Sequence, residues 1–213
     1  FNVINKKYVT FTKGSGVDLK KLKPIKKKNK KIVITMISRM SKEKGVLEFV
    51  EASKIFNKLK KNVTFLLVGK FDGDGPSFIT LKNLQKFNDK NLYPNLNWIG
   101  HKENILKIMQ QSTIIVLPSY HEGVPKVLLE AAACAKPIIA TNISGCRIVV
   151  ENNKNGILIK TKSAVSIKNA ITNILLKPSK VNVMGKISRL KAVKEFDIKN
   201  VVENYVKIYK NII

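Results

Sequence analysis

Two glutamates with seven residues between them flank a helix-start signal in Ser119-Tyr-His-Glu122-Gly-Val-Pro125-Lys-Val-Leu-Leu-Glu130. Gly123 breaks the chain, and Pro125 suits a first helical turn, where its missing N–H is no loss. The free amides of that turn, with the helix dipole behind them, make an anion site. Glu122 falls just before the expected helix and Glu130 more than a turn inside it. That spacing argues against a directly paired acid–base dyad. It fits one carboxylate at each end of an extended ligand, with the ligand's anionic part between them.

A second cluster stands upstream in Ser38-Arg39-Met-Ser-Lys-Glu-Lys44-Gly45. Arg39 offers a planar fork to phosphate oxygens and Lys44 a point charge. Beside the 119–125 segment they would neutralise a diphosphate, including one that departs as a leaving group. Ribose, diphosphate and hexose, in that order, match the layout of two carboxylates around an anion site. Cys134 and Cys146 stand at no metal-ligand spacing, and two cysteines make no disulfide framework.

These residues need elements that bring distant loops together. Short apolar runs predict strands over 32–37, 63–68, 96–99, 113–117, 137–140 and 156–159, apolar on both faces as in a covered parallel sheet. Val46, Phe49, Ala52, Phe56 and Leu59 repeat at helical spacing. Further helices are expected near 76–88, 103–111, 125–134, 145–152 and 163–176. Val202, Tyr205, Ile208, Tyr209 and Ile212 form a last apolar stripe. The alternation predicts an α/β fold, a Rossmann-like doubly wound parallel sheet over residues 1–196, with a C-terminal helix over 197–213. Ligands of such folds sit beyond the carboxyl ends of the strands, which selects the loops starting at Ser38, Gly69, Gly100 and Ser119.

The chain has 213 residues, 44% of them hydrophobic, enough for a substantial core. Forty basic and 14 acidic residues give a net charge of +26, a field that favours anionic partners. Arginine is confined to Arg39, Arg147 and Arg189, which argues against base-reading proteins that rely on its fork. The dense run Lys20, Lys21, Lys23, Lys26, Lys27, Lys28, Lys30 and Lys31 reads as a solvated loop or as a contact with anionic lipid. No apolar run spans a bilayer, so a cytoplasmic protein is expected, with peripheral contact to the inner face of the membrane. The chain opens on Phe1 and is expected to be a piece of a longer protein.

Together these segments resemble the C-terminal domain of family-4-type GT-B glycosyltransferases (glycosyl transferases group 1). The resemblance rests on Arg39, Lys44 and the Glu122-x7-Glu130 element. It is supported by Gly14-Ser-Gly-Val-Asp18, Leu67-Val-Gly69, Trp98-Ile-Gly100, Leu117-Pro-Ser119, Lys136-Pro-Ile-Ile-Ala140 and Asn155-Gly156. Pro118-Ser-Tyr-His-Glu-Gly-Val-Pro with Ser144-Gly-Cys-Arg147 resembles the bacterial branch that builds polysaccharides or glycans on polyprenyl diphosphate. The resemblance implies hexosyl or N-acetylhexosaminyl transfer with retention, from a nucleotide diphosphate sugar (UDP by family frequency) to a lipid-linked or glycan acceptor. It implies that Glu130 holds the ribose, Arg39 and Lys44 the diphosphate, and Glu122, Gly123, Val124, Pro125 and Lys126 the sugar and phosphate. His101 and Lys102 would lie near the base. No cofactor or metal is implied, and Asp72-Gly-Asp74, the nearest thing to a metal-binding triplet, reads as a turn.

The acceptor-binding N-terminal domain of that family is not in this sequence, so this chain alone is expected to bind donor and transfer little or nothing. Ala135 stands where the family usually has glycine, a change expected to be neutral. Ile148 replaces a frequent glutamate, which could weaken a helix-start contact or tune the donor. Two other readings compete: a nucleotide-binding but inactive Rossmann module, and a basic nucleic-acid-binding domain. The second is disfavoured because the aromatic residues sit within apolar runs. A dehydrogenase or P-loop enzyme is disfavoured too, since Gly14-Ser-Gly16 lacks a third glycine and no Walker loop is present.

Overall fold

A computed structural model gives the fold and describes residues 14–25, 31–57, 62–73 and 75–210. Lys26 to Lys30, Leu59, Asp74 and Ile212 lie outside the described residues, which takes in half of the lysines of the basic run and parts of two stripes.

Among the described residues six strands form one sheet: β1 (Ile32–Ile37), β2 (Val63–Val68), β3 (Leu96–Trp98), β4 (Ile114–Leu117), β5 (Ile138–Thr141) and β6 (Gly156–Ile159). Their order is β3-β2-β1-β4-β5-β6 and every adjacent pair is parallel. β4 and β5 are buried at every position, which is why their sequences run apolar without alternation as far as the closing Thr141 of β5. The helices are α1 (Val46–Asn57), α2 (Leu81–Lys86), α3 (Ile105–Gln111), α4 (Lys126–Ala133), α5 (Ser144–Val149), α6 (Ala164–Leu175), α7 (Pro178–Glu195) and α8 (Ile198–Lys210). On one face α1, α2 and α6 cover a cluster around Phe49, Phe56 and Phe65, whose rings meet edge to face at 5.4 and 5.8 Å. On the other face α3, α4 and α5 bury Met109, Leu128, Leu129 and Val149. This is the expected doubly wound fold, with its switch point between β1 and β4.

Three sequence expectations change. The helix expected near 76–88 shrinks to α2. Residues before Thr80 instead pair with the loop after β1: Lys42 N–H donates to Ser77 O at 2.8 Å, and Ile79 N–H to Met40 O at 2.9 Å. Tertiary pairing overrides local propensity there, and Thr80 then caps the remainder by accepting from Asn83 N–H.

α7 has no counterpart among the expected helices. Its buried residues are Met184, Gly185, Ser188 and Ala192, so small and polar types conceal the stripe. A Cβ on Gly185 would stand 2.3 Å from Ala135 O, which shows how closely α7 approaches the end of α4.

Ala135 is not a neutral replacement. It takes the left-handed conformation, φ 54°, just after α4. Lys136 N–H returns to Ala131 O and Ala135 N–H to Ala132 O, both at 3.0 Å, which is a Schellman end that glycine suits. Ile148, the other departure, is half-buried on α5 and packs against the core.

The C-terminal stripe does lie on a helix, α8, but its apolar side is open. Val202 is 53% exposed and Tyr209 63%, while Val201 is buried. The start of α8 is tied to the body by Ile198 N–H to Val17 O at 3.1 Å. Among the described residues no helix is long and apolar enough to cross a membrane.

Candidate functional site

The loops after β1 and β4 leave the sheet side by side at the switch point. After β1 the chain passes Arg39 and makes one 3-10 turn, Lys42–Lys44, ending at Gly45 with φ 76°. A Cβ on Gly45 would meet Pro118 O at 2.3 Å. Glycine therefore brings Lys44 hard against the end of β4, a contact only a residue without a side chain tolerates.

Lys44 Nζ donates to Glu122 Oε1 at 2.7 Å, with the two side chains 20% and 13% exposed. Arg39, Lys44, Glu122, Pro125, Lys126 and Val127 line a cavity of about 250 Å³. Arg39 is exposed, and its Nη1 lies 3.8 Å from Asp72 Oδ2, while Lys70 Nζ approaches the other oxygen at 3.5 Å. Asp72 thus bridges two cations beside the cavity, beyond the turn role expected for it.

Pro125 is the N-cap of α4 and not its first helical residue. Its carbonyl accepts from Leu128 N–H at 3.0 Å, and it supplies no side-chain cap. The amides of Lys126 and Val127, ahead of that bond, are left without an intrahelical acceptor, and both residues line the cavity. The start of α5 lies against the same loop. A Cβ on Gly145 would fall 1.5 Å from Gly123 O and 2.4 Å from Glu122 O. Val124 packs in turn against Gly14. Gly123 itself faces open space: a Cβ added there would have no atom within 4 Å.

Glu130 is the fifth residue of α4, half-buried and outside the cavity lining. Burial raises its carboxyl above the ordinary value, partly offset by the charge of Lys126. Among the described residues its carboxylate has no hydrogen-bond or ion-pair partner. His101 and Lys102 are exposed in the β3–α3 loop and do not line the cavity. That loop is held to the end of β2 by Gly69 N–H to Gly100 O at 2.9 Å. Arg147 and Arg189 have structural partners: Arg147 donates to Asn142, and Arg189 to Ala133 O at 2.7 Å at the end of α4. Both cysteines are buried, which pushes each thiol up to about 11 and leaves it a poor nucleophile.

Sequence reasoning passed over Gly45, Asp72 and Gly145 as site residues. Each acts through a contact distant in sequence, and only the glycines themselves hinted at close backbone approach.

The profile of the family described as glycosyl transferases group 1 matches residues 18–191. The chain belongs to that family. It is 31% identical to the N,N'-diacetylbacillosaminyl-diphospho-undecaprenol alpha-1,3-N-acetylgalactosaminyltransferase of Campylobacter jejuni, over 94% of this chain and 54% of that enzyme. The chain thus spans about half the length of the curated relatives it matches. Among solved structures, it is similar to Anabaena Alr3699/HepE in complex with UDP, with TM-score 0.80 and 21% identity over 92% of this chain and 56% of that one. It is also similar to the C-terminal domain of a group 1 protein, LpcC, from Francisella tularensis, with TM-score 0.74 and 22% identity. That match covers 86% of this chain and all of that domain. The fold is thus that of the C-terminal, Rossmann-like half of GT-B glycosyltransferases.

Proposed function

We propose that this chain is the donor-binding half of a retaining glycosyltransferase that moves a hexose-type sugar from a nucleotide diphosphate sugar to a lipid-linked or glycan acceptor. The observation that carries it is the cavity at the switch point, where Arg39, Lys44 and Glu122 converge with the free start of α4. Two cations and a helix N-terminus oppose the charge of a diphosphate as it leaves. Those groups serve where other enzymes use a metal. Glu122 and the 123–126 backbone meet the sugar and Glu130 the ribose, with His101 and Lys102 on the side of the base.

A UDP donor is favoured by the UDP complex of the Anabaena neighbour, and a lipid-linked acceptor by the undecaprenol substrate named for the Campylobacter relative. The acceptor and the reacting geometry then belong to the other half of the enzyme. The open apolar side of α8 is where that half would rest. Peripheral contact with an anionic inner membrane follows from the charge of +26 and such an acceptor.

Titration calorimetry at low salt with UDP, other nucleoside diphosphates and their sugars tests the reading, with and without a chelator. Saturable UDP binding that survives the chelator and is lost in Lys44→Ala supports it. No binding by any nucleoside diphosphate overturns it.

A further inference from the structure

Beside the cavity, a second connection joins the two loops that form it. Tyr120 OH donates to Glu48 Oε1 at 2.5 Å, from the β4–α4 loop to the first turn of α1. Tyr120 N–H donates to Glu43 O at 2.8 Å, and Ser119 Oγ to the same carbonyl at 3.3 Å. Glu43 immediately precedes Lys44, and Tyr120 lies two residues before Glu122. The other oxygen of Glu48 is buried with no hydrogen-bond partner among the described residues. The Tyr120 hydroxyl is therefore the group that satisfies this carboxylate, through a short charge-assisted bond. Lys162, held at φ 54°, places its ammonium 5.1 Å from the centre of the Tyr120 ring and closes the far side.

We propose that Tyr120 and Glu48 are a positioning pair, which locks the loop after β1 to the loop after β4 and so sets the separation of Lys44 and Glu122. Neither side chain lines the cavity. Both act on the ligand through the loops they join. The α1 end of the tie is rigid, because its neighbour Phe49 is fully buried in the core. The tie thus transmits the fixed position of α1 to a loop that carries ligand-facing groups. Its effect on nucleotide affinity rests on the donor-binding reading above; its effect on the loops does not.

Tyr120→Phe removes the hydroxyl and strands a buried carboxylate, so the variant also loses stability. Tyr120→Phe combined with Glu48→Leu removes the stranded charge while leaving the tie absent. Three measurements on the whole chain separate positioning from stability. Amide exchange at residue 120, whose N–H is held by Glu43 O, is expected to speed up in both variants. UDP affinity is expected to fall about tenfold in both, while the melting temperature recovers in the double variant. Affinity that recovers together with the melting temperature, or unchanged exchange at residue 120, overturns the positioning role. A wild-type chain that binds no UDP overturns the donor reading instead, and the exchange experiment then decides the tie alone.

Discussion

Lys44 Nζ donates to Glu122 Oε1 across 2.7 Å, although 78 residues separate the two in sequence. The mostly buried cation of the site is neutralised by its mostly buried anion. Under the proposed donor-binding role, a diphosphate in the cavity would compete with Glu122 for Lys44, while a donor sugar would give Glu122 hydroxyl groups to accept from instead.

The two single substitutions should therefore diverge. Lys44→Met removes a charge-assisted contact worth about 1.5–3 kcal/mol, so UDP affinity should fall tenfold or more. Glu122→Gln frees Lys44 and should leave UDP affinity equal or higher, while erasing any preference for UDP-sugar over UDP. Calorimetry on both variants with both ligands reads this. Parallel losses in the two would show that the pair acts as one structural unit.

The end of α4 gives a stability prediction. Ala135 sits at φ 54°, in a left-handed region that disfavours a Cβ by about 1–2 kcal/mol. Its carbonyl lies against Gly185 of α7, so the conformation is fixed by packing. Ala135→Gly should raise stability by about 0.5–1 kcal/mol, after the added freedom of the unfolded chain is counted. Urea denaturation followed by circular dichroism measures it, and a destabilised variant would contradict the Schellman assignment.

Gly145 abuts the backbone of Gly123, but the two glycines should respond differently to alanine. An alanine methyl at 145 would overlap Gly123 O, at 1.5 Å, and must displace the loop that lines the cavity. Gly145→Ala should lower stability by about 1–3 kcal/mol and weaken UDP binding. Gly123→Ala meets nothing within 4 Å, so its melting temperature should hold. If a phosphate or sugar approaches that backbone closely, only ligand affinity falls.

The sheet was legible because parallel strands buried on both faces run largely apolar, as Ile114–Leu117 and all but the last residue of Ile138–Thr141 do. Arg39, Lys44 and Glu122 were legible because each follows a strand and the order of strands puts their loops together. α7 was hidden because close helix packing there selects Gly185, Ser188 and Ala192, which carry no apolar signal. The partners of Tyr120 were hidden for another reason. Glu48 looks like the polar side of an amphipathic helix until the fold sets it against a loop 72 residues away. Asp72 likewise read as a turn residue, since nothing local announces that Arg39 and Lys70 converge on it.

Glu130 gives a prediction in which stability and binding move in opposite directions. Burial raises its carboxyl in the folded chain, and its oxygens have no hydrogen-bonding partner among the described residues. A raised carboxylate binds its proton more tightly folded than unfolded. Ionisation therefore opposes folding fully above the folded value, and that opposition disappears as pH falls below the unfolded value, about 4.5. Glu130→Gln should raise the melting temperature near neutral pH by on the order of 1–2 °C. That gain should shrink toward pH 4. If the carboxylate is kept ionised to accept from ribose hydroxyls, the same variant should lose roughly tenfold in UDP affinity. It should also lose the discrimination of UDP from its 2′-deoxy analogue. Thermal scans across pH, with calorimetry on both nucleotides, measure the two effects independently. A variant that gains stability without losing affinity would remove Glu130 from the ribose site while leaving the electrostatic account of its burial intact.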